Sequence, residues 1–201
     1  MTDLSSITLD DDDIGYVKLV DFNKTENDIS KIAGISHNSE KGPSVKDLLS
    51  WGHLSPFEFA SVTFKVKAPI FVIRQWFRHR TGHYMEKSLR YCSAKPEFYL
   101  PKGLDSNKVL ALTKSYSDSA DLYNELLKSG LPKEQARVIL PTALYTEFYF
   151  QMDLRNLIHF FDMRLDEHAQ KEIREYSYAM LRLIEPLYPT IAQYIKEGNN
   201  L

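Results

Sequence analysis

The segment from Arg74 to Arg90 concentrates the side chains of this sequence that could bind an anion. It holds five basic residues against the single carboxylate of Glu86, a local charge of +4 in a chain whose net charge is −2. Arg74 and Arg78 stand four residues apart, so on a helix both guanidinium groups would project together and could clasp a phosphate or a carboxylate. A compact positive site on an otherwise acidic protein favours a small anionic ligand over a nucleic acid.

The same segment raises the possibility of a metal site. His79 and His83 stand four residues apart and Glu86 follows three residues later, which could form a face of two histidines and one carboxylate. The surrounding arginines would repel a divalent cation. The sequence therefore predicts no metal here.

Nucleophilic catalysis finds little support in the sequence. Cys92, the only cysteine, has no histidine at a telling position and is expected to be a buried structural residue. Ser88 lacks the glycines of a nucleophile elbow and, between basic residues, better suits a hydrogen-bond donor to phosphate. Glycine-rich phosphate loops are also missing, so a nucleotide would be held by side chains and isolated backbone amides.

Composition places the chain among ordinary globular proteins. Its 201 residues are 43% hydrophobic and 26% charged, which suits one domain. The longest apolar stretch, 68–73, is far too short to span a bilayer, and the N-terminus lacks the layout of a signal peptide. We expect a cytoplasmic protein without membrane partners, with an acidic flexible leader over 1–13 and a single catalytic domain over 14–201.

Strands are predicted from alternating apolar and polar residues. Residues 14–22 and 61–68 show this period of two and read as half-buried strands. Residues 147–153 alternate similarly and are rich in Tyr and Phe, which favours a strand. A helix that begins after Pro141 and continues through the same stretch fits nearly as well, so both readings stay open.

Helices are predicted over much of the remainder. Thr25, followed three residues later by Asp28, is typical of a helix N-terminus, and Gly130 of a helix end. The predicted helices are 44–51, 69–78, 105–128, a short one after Pro132, one with Leu154, Leu157, Ile158 and Phe161 on a single face, and a last long one over 167–185. Helices interspersed with a few strands indicate an α+β domain with a small sheet.

An extended motif occupies residues 78–90. It reads Arg78, His79, Arg80, two residues, His83, four residues, Ser88, one residue and Arg90. This closely resembles the signature of the flavin-dependent thymidylate synthases, which is RHR, two residues, Ser, four residues, Ser, one residue and Arg. Further matches lie within 53–77 and at 86, 91, 136–141, 145–146, 155, 164 and 168–170. The resemblance covers about 53–176 and is weakest over 105–130.

The resemblance implies a homotetramer that binds FAD and dUMP at active sites shared between subunits. It implies that a methylene group passes from methylenetetrahydrofolate to carbon 5 of the uracil. A hydride from reduced FAD would complete the methyl, and NADPH would recharge the flavin. The family uses no covalent enzyme nucleophile, in agreement with the poor nucleophile inventory of this sequence.

Carried over position by position, the resemblance assigns two sets of site residues. The dUMP set is Gln75, Arg78, Glu86, Lys87, Ser88, Leu89, Arg90, Arg137 and Arg164. The FAD set is His53, Ser55, Arg78, His79, Arg80, Glu86, Asp153, Arg155 and His159. Arg164 is the expected catalytic residue, because an always-charged guanidinium favours an ionised uracil and makes carbon 5 more electron-rich. Arg155 and His159, four residues apart, are expected to face away from the core.

Five positions depart from the family pattern, mainly on the flavin side. His83 replaces the first serine of the signature, Met85 stands where Asn is common, Leu89 takes a site that is often small, and Asp153 and His159 stand at positions that are commonly Asn. Two alternatives therefore stay open beside the thymidylate synthase. One is a related methylase acting on UMP, and the other is a non-catalytic nucleotide-binding paralogue.

Overall fold

The structure, a computed structural model, describes residues 6–9 and 14–201. Within these ranges there are five strands and eight α-helices. The strands are β1 (Ser6–Thr8), β2 (Tyr16–Phe22), β3 (Ser61–Pro69), β4 (His83–Glu86) and β5 (Tyr145–Asp153). The helices are α1 (Glu26–Gly34), α2 (Val45–Ser50), α3 (Ile70–Trp76), α4 (Ser106–Lys128), α5 (Lys133–Ala136), α6 (Leu154–Arg164), α7 (Lys171–Ile184) and α8 (Pro189–Gly198).

The strands form one antiparallel sheet in the order β1-β2-β3-β5-β4. Its centre is the nine-residue pairing of β3 with β5, which runs from Ser61 opposite Asp153 to Pro69 opposite Tyr145. Because β5 is paired on both sides, residues 147–153 are a strand, and the alternative of a helix from Pro141 is wrong. The fold is the predicted α+β domain.

One face of the sheet carries the hydrophobic core. Val62, Phe64 and Val66 of β3 are buried, as are Phe148 and Phe150 of β5. The residues between them, such as Lys65 and Tyr149, lie on the opposite face and are partly or fully exposed. The predicted period of two is thus confirmed. Helices cover one face of the sheet, whereas Met85 of β4 and Tyr149 of β5 are exposed on the other, which we call the uncovered face.

Trp76 joins the last turn of α3 to this core. Its side chain has no exposed surface, and its ring lies 5.3 Å from that of Phe148 and 5.4 Å from that of Phe160, measured between centroids. Aromatic pairs in such edge and tilted arrangements contribute about 0.5–1.5 kcal/mol each beyond their burial. The packing therefore fixes the end of α3, which is followed at once by Arg78 and His79.

Side-chain caps set the starts of several helices where the sequence predicts them. Thr25 and Asp28 form a reciprocal capping box at α1, Asp105 accepts from two backbone N–H groups at α4, and Gly130 takes a positive φ after α4. Asp153 caps α6 by accepting a hydrogen bond from the backbone of Asn156 at 3.0 Å. As predicted, α6 buries Leu154, Leu157, Ile158 and Phe161.

Some predicted boundaries need correction. Helix α3 ends at Trp76, so Arg78 lies beyond it. The prediction that one helix places Arg74 and Arg78 side by side is therefore wrong. Strands β1 and β4 and helix α8 were not predicted; α8 begins at Pro189, which occupies the first helical turn rather than excluding a helix. Residues 6–8 of the predicted leader pair with β2, and residues 1–5 and 10–13 lie outside the described residues.

Candidate active site

A cavity of about 470 Å³ opens between the end of β4 and the turn around Arg137. We name it the β4 cavity. Its walls are Ile70, Glu86, Lys87, Ser88, Leu89, Glu134, Arg137, Val138, Leu140 and Leu144. Five residues of the predicted dUMP set therefore line one cavity, although about fifty residues of chain separate Arg137 from the others. A volume of this size suits a small organic ligand.

Polar groups at the mouth of the β4 cavity present both charges. Desolvation raises the pKa of the Glu86 carboxyl, while a hydrogen bond with Thr146 and the charge of Arg137 act in the opposite direction. The Arg137 Nε atom donates to the backbone oxygen of Glu134 at 3.3 Å, which orients the guanidinium along the cavity wall. Arg137 and the Ser88 hydroxyl supply the donors that a phosphate monoester requires.

Arg90 lies at the edge of this region and is already engaged. Its Nε atom donates to a carboxylate oxygen of Glu134 at 3.1 Å, and both side chains are about half exposed. An ion pair at this degree of exposure contributes little to stability, so an incoming phosphate can compete for Arg90. Cys92 follows on the same turn and is exposed, so the prediction of a buried cysteine is wrong.

A second group of predicted residues surrounds His79, and we name it the His79 cluster: Gln75, His79, Tyr84, His159 and Arg164. Arg164 donates through Nε to the Nε2 atom of His79 at 2.9 Å and through Nη2 to the backbone oxygen of Gln75 at 3.2 Å. The ring of His159 lies 6.3 Å from that of His79. Arg164 therefore joins one residue of the predicted FAD set to one of the dUMP set.

The electrostatics of the His79 cluster favour uncharged rings. Burial, followed by the charges of Arg164 and His159, lowers the pKa of His79 to about 4. Burial also raises the pKa of the Tyr84 hydroxyl, against the opposing effect of Arg164. That hydroxyl donates to the backbone oxygen of His79 at 2.8 Å, so His79 is held through both its main chain and its ring.

A larger cavity, which we name the α2 cavity, lies beside α1 and α2 and measures about 520 Å³. It is lined by Ile32, Ala33, Ile35, Ser36, Pro43, Leu48, Gly52, His53, Leu54, Ser55, Pro56, Phe59 and Arg155. Three residues of the predicted FAD set, His53, Ser55 and Arg155, thus meet here. Arg155 is paired with the carboxylate of Glu58, and with His159 it lies exposed on α6 as predicted.

The remaining residues of the FAD set differ in their surroundings. Arg78 and Arg80 are exposed after α3, and among the described residues neither has an ion pair or a hydrogen bond through its side chain. Asp153 is occupied with helix capping, since its second carboxylate oxygen also accepts from the Asn156 amide at 2.6 Å. Guanidinium groups can bind a pyrophosphate and an apolar cavity can hold a planar ring, so this set of residues is compatible with a flavin dinucleotide.

Two of the departures from the family pattern lie on the uncovered face of the sheet. Along β4, Tyr84 packs inward and Glu86 reaches the β4 cavity, whereas His83 and Met85 alternate to the other face. Met85 is 75% exposed and lies opposite Tyr149 of β5. Neither departure therefore lines the β4 cavity of its own chain.

The metal hypothesis gains nothing from the fold. In a strand, His83 and Glu86 point to opposite faces, so they cannot share an ion with His79 as they could on a helix. In the part of the chain that the structure describes, no three His, Cys, Asp or Glu side chains are grouped so as to hold a metal ion.

Sequence reasoning missed some residues that complete these sites. Glu134 pairs with Arg90, Thr146 contacts Glu86, and Gln170 donates and accepts between Gln75 and Glu172. Thr146 and Gln170 lie within the family resemblance, which was the signal available for them. Glu134 carried no such signal, because only the fold brings α5 next to the turn after β4.

In one α+β domain, the nine-residue pairing of β3 with β5 separates a cavity with charged walls at one end from a largely apolar cavity at the other, an arrangement that fits an enzyme binding nucleotides. Comparison with known proteins gives the class more closely. The family model described as "Thymidylate synthase complementing protein" matches residues 14–190. The flavin-dependent thymidylate synthase of Thermotoga neapolitana is 39% identical over 199 residues, which cover 92% of each chain. That of Borreliella burgdorferi is 39% identical over 207 residues, covering 88% of this chain and 78% of the relative.

Solved structures give a consistent result. The UMP/dUMP methylase PolB from Streptomyces cacaoi, bound with 5-Br dUMP, has a TM-score of 0.84 at 30% identity, covering 91% of this chain and 95% of that one. The same methylase bound with 5-Br UMP has a TM-score of 0.81 at 27% identity. The chain belongs to the thymidylate synthase complementing protein family, the flavin-dependent thymidylate synthases, which are methyltransferases.

No helix of the described residues combines the length and the hydropathy that crossing a bilayer requires.

Proposed function

We propose that this enzyme methylates dUMP to dTMP, with methylenetetrahydrofolate as the one-carbon donor, FAD as the cofactor and NADPH as the source of reducing equivalents. The observation that carries the proposal is the β4 cavity, where Glu86, Lys87, Ser88 and Leu89 meet Arg137. A signature segment and a distant arginine thus converge on one volume suited to a nucleotide. The fold has no evident reason to gather them there for stability, since most are exposed.

The phosphate of the nucleotide is assigned to the positive side of the β4 cavity. Ser88 and Arg137 donate hydrogen bonds to its oxygens, and Arg90 can exchange its partner Glu134 for the phosphate. Lys87 adds a further positive charge at the cavity wall. These contacts position the substrate and do not change during the reaction.

The uracil ring is assigned to the neighbourhood of Gln75 and Arg164. Arg164 is a permanent cation, and burial lowers its pKa without removing its charge. A partly buried guanidinium stabilises the negative charge that develops on the uracil ring, and this charge makes carbon 5 more nucleophilic. This activation would replace an attacking thiol, in keeping with the absence of the single cysteine, Cys92, from the lining of the β4 cavity.

The flavin is assigned to the α2 cavity, the arginines after α3 and the His79 cluster. His53, Ser55 and Arg155 would meet the cofactor at the cavity, and Arg78 and Arg80 its pyrophosphate. Asp153, Glu86 and His159 complete the proposed set. When bound, reduced FAD supplies the hydride that completes the methyl group. The chain's own contribution is to hold the neutral His79 ring in place through Arg164 and Tyr84.

We propose that the complete active site combines residues from more than one copy of the chain. Gln75 and Arg164 belong to the His79 cluster, and neither lines the β4 cavity. The uncovered sheet face, with the exposed side chains of Met85 and Tyr149, is available to a second copy. We infer a homotetramer in which subunits share their sites, and multi-angle light scattering of the purified protein tests its mass.

The experiment that tests the function begins with the visible absorption spectrum of the purified protein before and after addition of FAD. Reaction with dUMP, methylenetetrahydrofolate and NADPH is then followed by product analysis for dTMP. A yellow protein that forms dTMP supports the proposal. A protein that stays colourless at saturating FAD but binds dUMP is instead the non-catalytic paralogue.

A second candidate is a methylase that acts on UMP. The similarity to the UMP/dUMP methylase, whose structures hold 5-Br dUMP and 5-Br UMP, favours testing it. The two nucleotides differ by a single ribose hydroxyl. Parallel measurement of kcat/KM for dUMP and UMP decides between them, and a preference for UMP would replace the main proposal.

A further inference from the structure

A chain of side-chain hydrogen bonds runs from Gln75 to the start of α7. The Nε2 atom of Gln75 donates to Oε1 of Gln170, and Nε2 of Gln170 donates to Oε2 of Glu172 at 2.8 Å. The other carboxylate oxygen of Glu172 accepts from the Tyr99 hydroxyl at 2.9 Å. This series of hydrogen bonds connects α3, α7 and the segment before α4, which are far apart in sequence.

Glu172 determines which groups donate and which accept in this series of hydrogen bonds, because its carboxylate acts only as an acceptor. Partial burial raises the pKa of Glu172, but bonds from its own backbone N–H, Tyr99 and Gln170 lower it further, so the net pKa falls below the usual value. Glu172 also lies in the first turn of α7, where the helix dipole favours a negative charge. The carboxylate is therefore ionised at neutral pH.

An ionised Glu172 fixes the two amides in turn. The Gln170 amide must turn its NH₂ group toward the carboxylate, which leaves its oxygen facing Gln75. Gln75 must then turn its own NH₂ group toward that oxygen. Gln75 consequently keeps Oε1 as an acceptor, and no donor among the described residues occupies it.

We propose that Gln170 and Glu172 are positioning residues that fix the polarity of the Gln75 amide, so that Gln75 accepts a hydrogen bond from an N–H or O–H group of the bound pyrimidine nucleotide. Arg164 contacts the main chain of the same residue, with Nη2 3.2 Å from the Gln75 backbone oxygen, and its guanidinium provides only donors. A donor next to an acceptor complements the imide edge of uracil, where a carbonyl oxygen adjoins an N–H group. This inference rests on the proposed function and assigns the recognition step within it.

The decisive variant is Gln170→Lys. The lysine ammonium has no acceptor, so it pairs with Glu172 and donates to Gln75, which forces the Gln75 amide to turn its NH₂ group toward the ligand. The NH₂ group of Gln75 then faces the N–H or O–H group of the nucleotide, and no hydrogen bond can form between two donors. We expect the dissociation constant of dUMP for the FAD-loaded protein, measured by titration calorimetry, to rise about tenfold or more.

A second substitution tests whether the loss of affinity comes from the donor that Gln75 presents to the ligand or from a general disturbance of the structure around residue 170. Gln75→Glu, introduced into the Gln170→Lys protein, pairs with the lysine and offers an acceptor to the ligand again. We expect this double variant to bind dUMP to within about threefold of the parent protein. A merely structural role for Gln170 would leave the double variant at least as weak as the single one.

Gln193→Lys is the matched control. Gln193 lies on α8 and donates to Glu197 at 2.8 Å, so the change adds the same charge beside the same type of partner away from the site. We expect dUMP affinity to stay unchanged in this control. Unchanged affinity in Gln170→Lys, or failure of the double variant to recover, would overturn the inference alone. A parent protein that does not bind dUMP would overturn the proposed function and this inference with it.

Discussion

The Nε atom of Arg164 donates a hydrogen bond to Nε2 of His79 across 2.9 Å. Because Nε2 accepts, the imidazole is neutral and carries its proton on Nδ1. Arg164 also donates to the backbone of Gln75. One cation therefore controls the tautomer of a residue assigned to the flavin and lies beside a residue assigned to the nucleotide.

Replacement of this cation should affect turnover more than folding. We expect Arg164→Ala to fold, to retain FAD and to lose turnover of dUMP by about a hundredfold or more, because it removes the group that stabilises the ionised uracil. The measurement is kcat together with the flavin absorbance of the purified variant. Arg182→Ala, at an exposed position of α7, is the matched control. Normal turnover in Arg164→Ala would show that the assigned role is wrong.

The low pKa of His79 predicts a pH dependence of stability. The folded ring titrates at about 4, below the ordinary value of 6.5. Between these values the unfolded chain binds a proton that the folded chain excludes, so stability decreases as the pH falls from about 6.5 toward 4. Burial of the ring is the main cause of the low pKa, and Arg164 and His159 add to it by repelling the charged form.

This dependence can be measured by thermal unfolding at pH 7 and pH 5. Since the His79 ring is only partly buried, solvent weakens the effect, and we expect a loss in Tm of about 2 °C attributable to this residue. The matched variant is His79→Gln, whose amide oxygen can still accept from Arg164 but does not titrate. An equal loss of Tm in both proteins would assign the pH dependence to other groups.

Much of the framework could be predicted because local patterns determine it. β3 and β5 alternate with a period of two, and α1 begins at a threonine with a capping partner. Strand β4 escaped prediction because it has only four residues within a charged motif and is ordered by pairing with β5. Helix α8 was not predicted, although its Pro189 is compatible with the first turn of a helix.

Site residues that are neighbours in the sequence could be predicted together. Contacts between site residues that only the fold brings together were harder to predict. Residues 86–89 adjoin along the chain, and the resemblance added Arg137 to them. The pairing of Gln75 with Gln170 could not be derived, because 95 residues separate them and no local pattern links α3 to α7. Cys92 was expected to be buried from its residue type, but it lies on a turn that the described elements do not cover.

Gly82 is required by a close approach of side chains next to the His79 cluster. A β-carbon at this position would lie 2.8 Å from a ring carbon of Phe150 and 2.9 Å from the Tyr84 hydroxyl. That hydroxyl is the donor to the backbone of His79. We expect Gly82→Ala to reduce the free energy of unfolding by about 1–3 kcal/mol and to weaken FAD binding.

Denaturant unfolding and FAD titration measure both effects of Gly82→Ala. Gly198→Ala is the control, because a β-carbon there meets no atom within 4 Å. It should match or slightly exceed the stability of the parent protein, since alanine favours a helix more than glycine does. Equal stability of the two variants would mean that Phe150 and Tyr84 move aside without cost.

The last prediction separates binding of the phosphate from activation of the ring. Arg137 lines the β4 cavity with Ser88 and is assigned to the phosphate, whose charge is the same in the substrate and in the transition state. Loss of such a contact weakens both states equally. We expect Arg137→Ala to raise the KM for dUMP by about tenfold or more, because a charge-assisted hydrogen bond is lost, and to leave kcat within about threefold of the parent value.

Arg164→Ala should show the reverse pattern, because its contact strengthens as the ring becomes charged and its loss therefore lowers kcat. Steady-state kinetics of the two variants beside Arg182→Ala compare three arginines under the same truncation. If Arg137→Ala lowers kcat as far as Arg164→Ala does, the β4 cavity contributes to the chemical step. The assignment of the phosphate to the β4 cavity and of the uracil to Gln75 and Arg164 would then be wrong. If KM and kcat are both unchanged, the phosphate binds elsewhere.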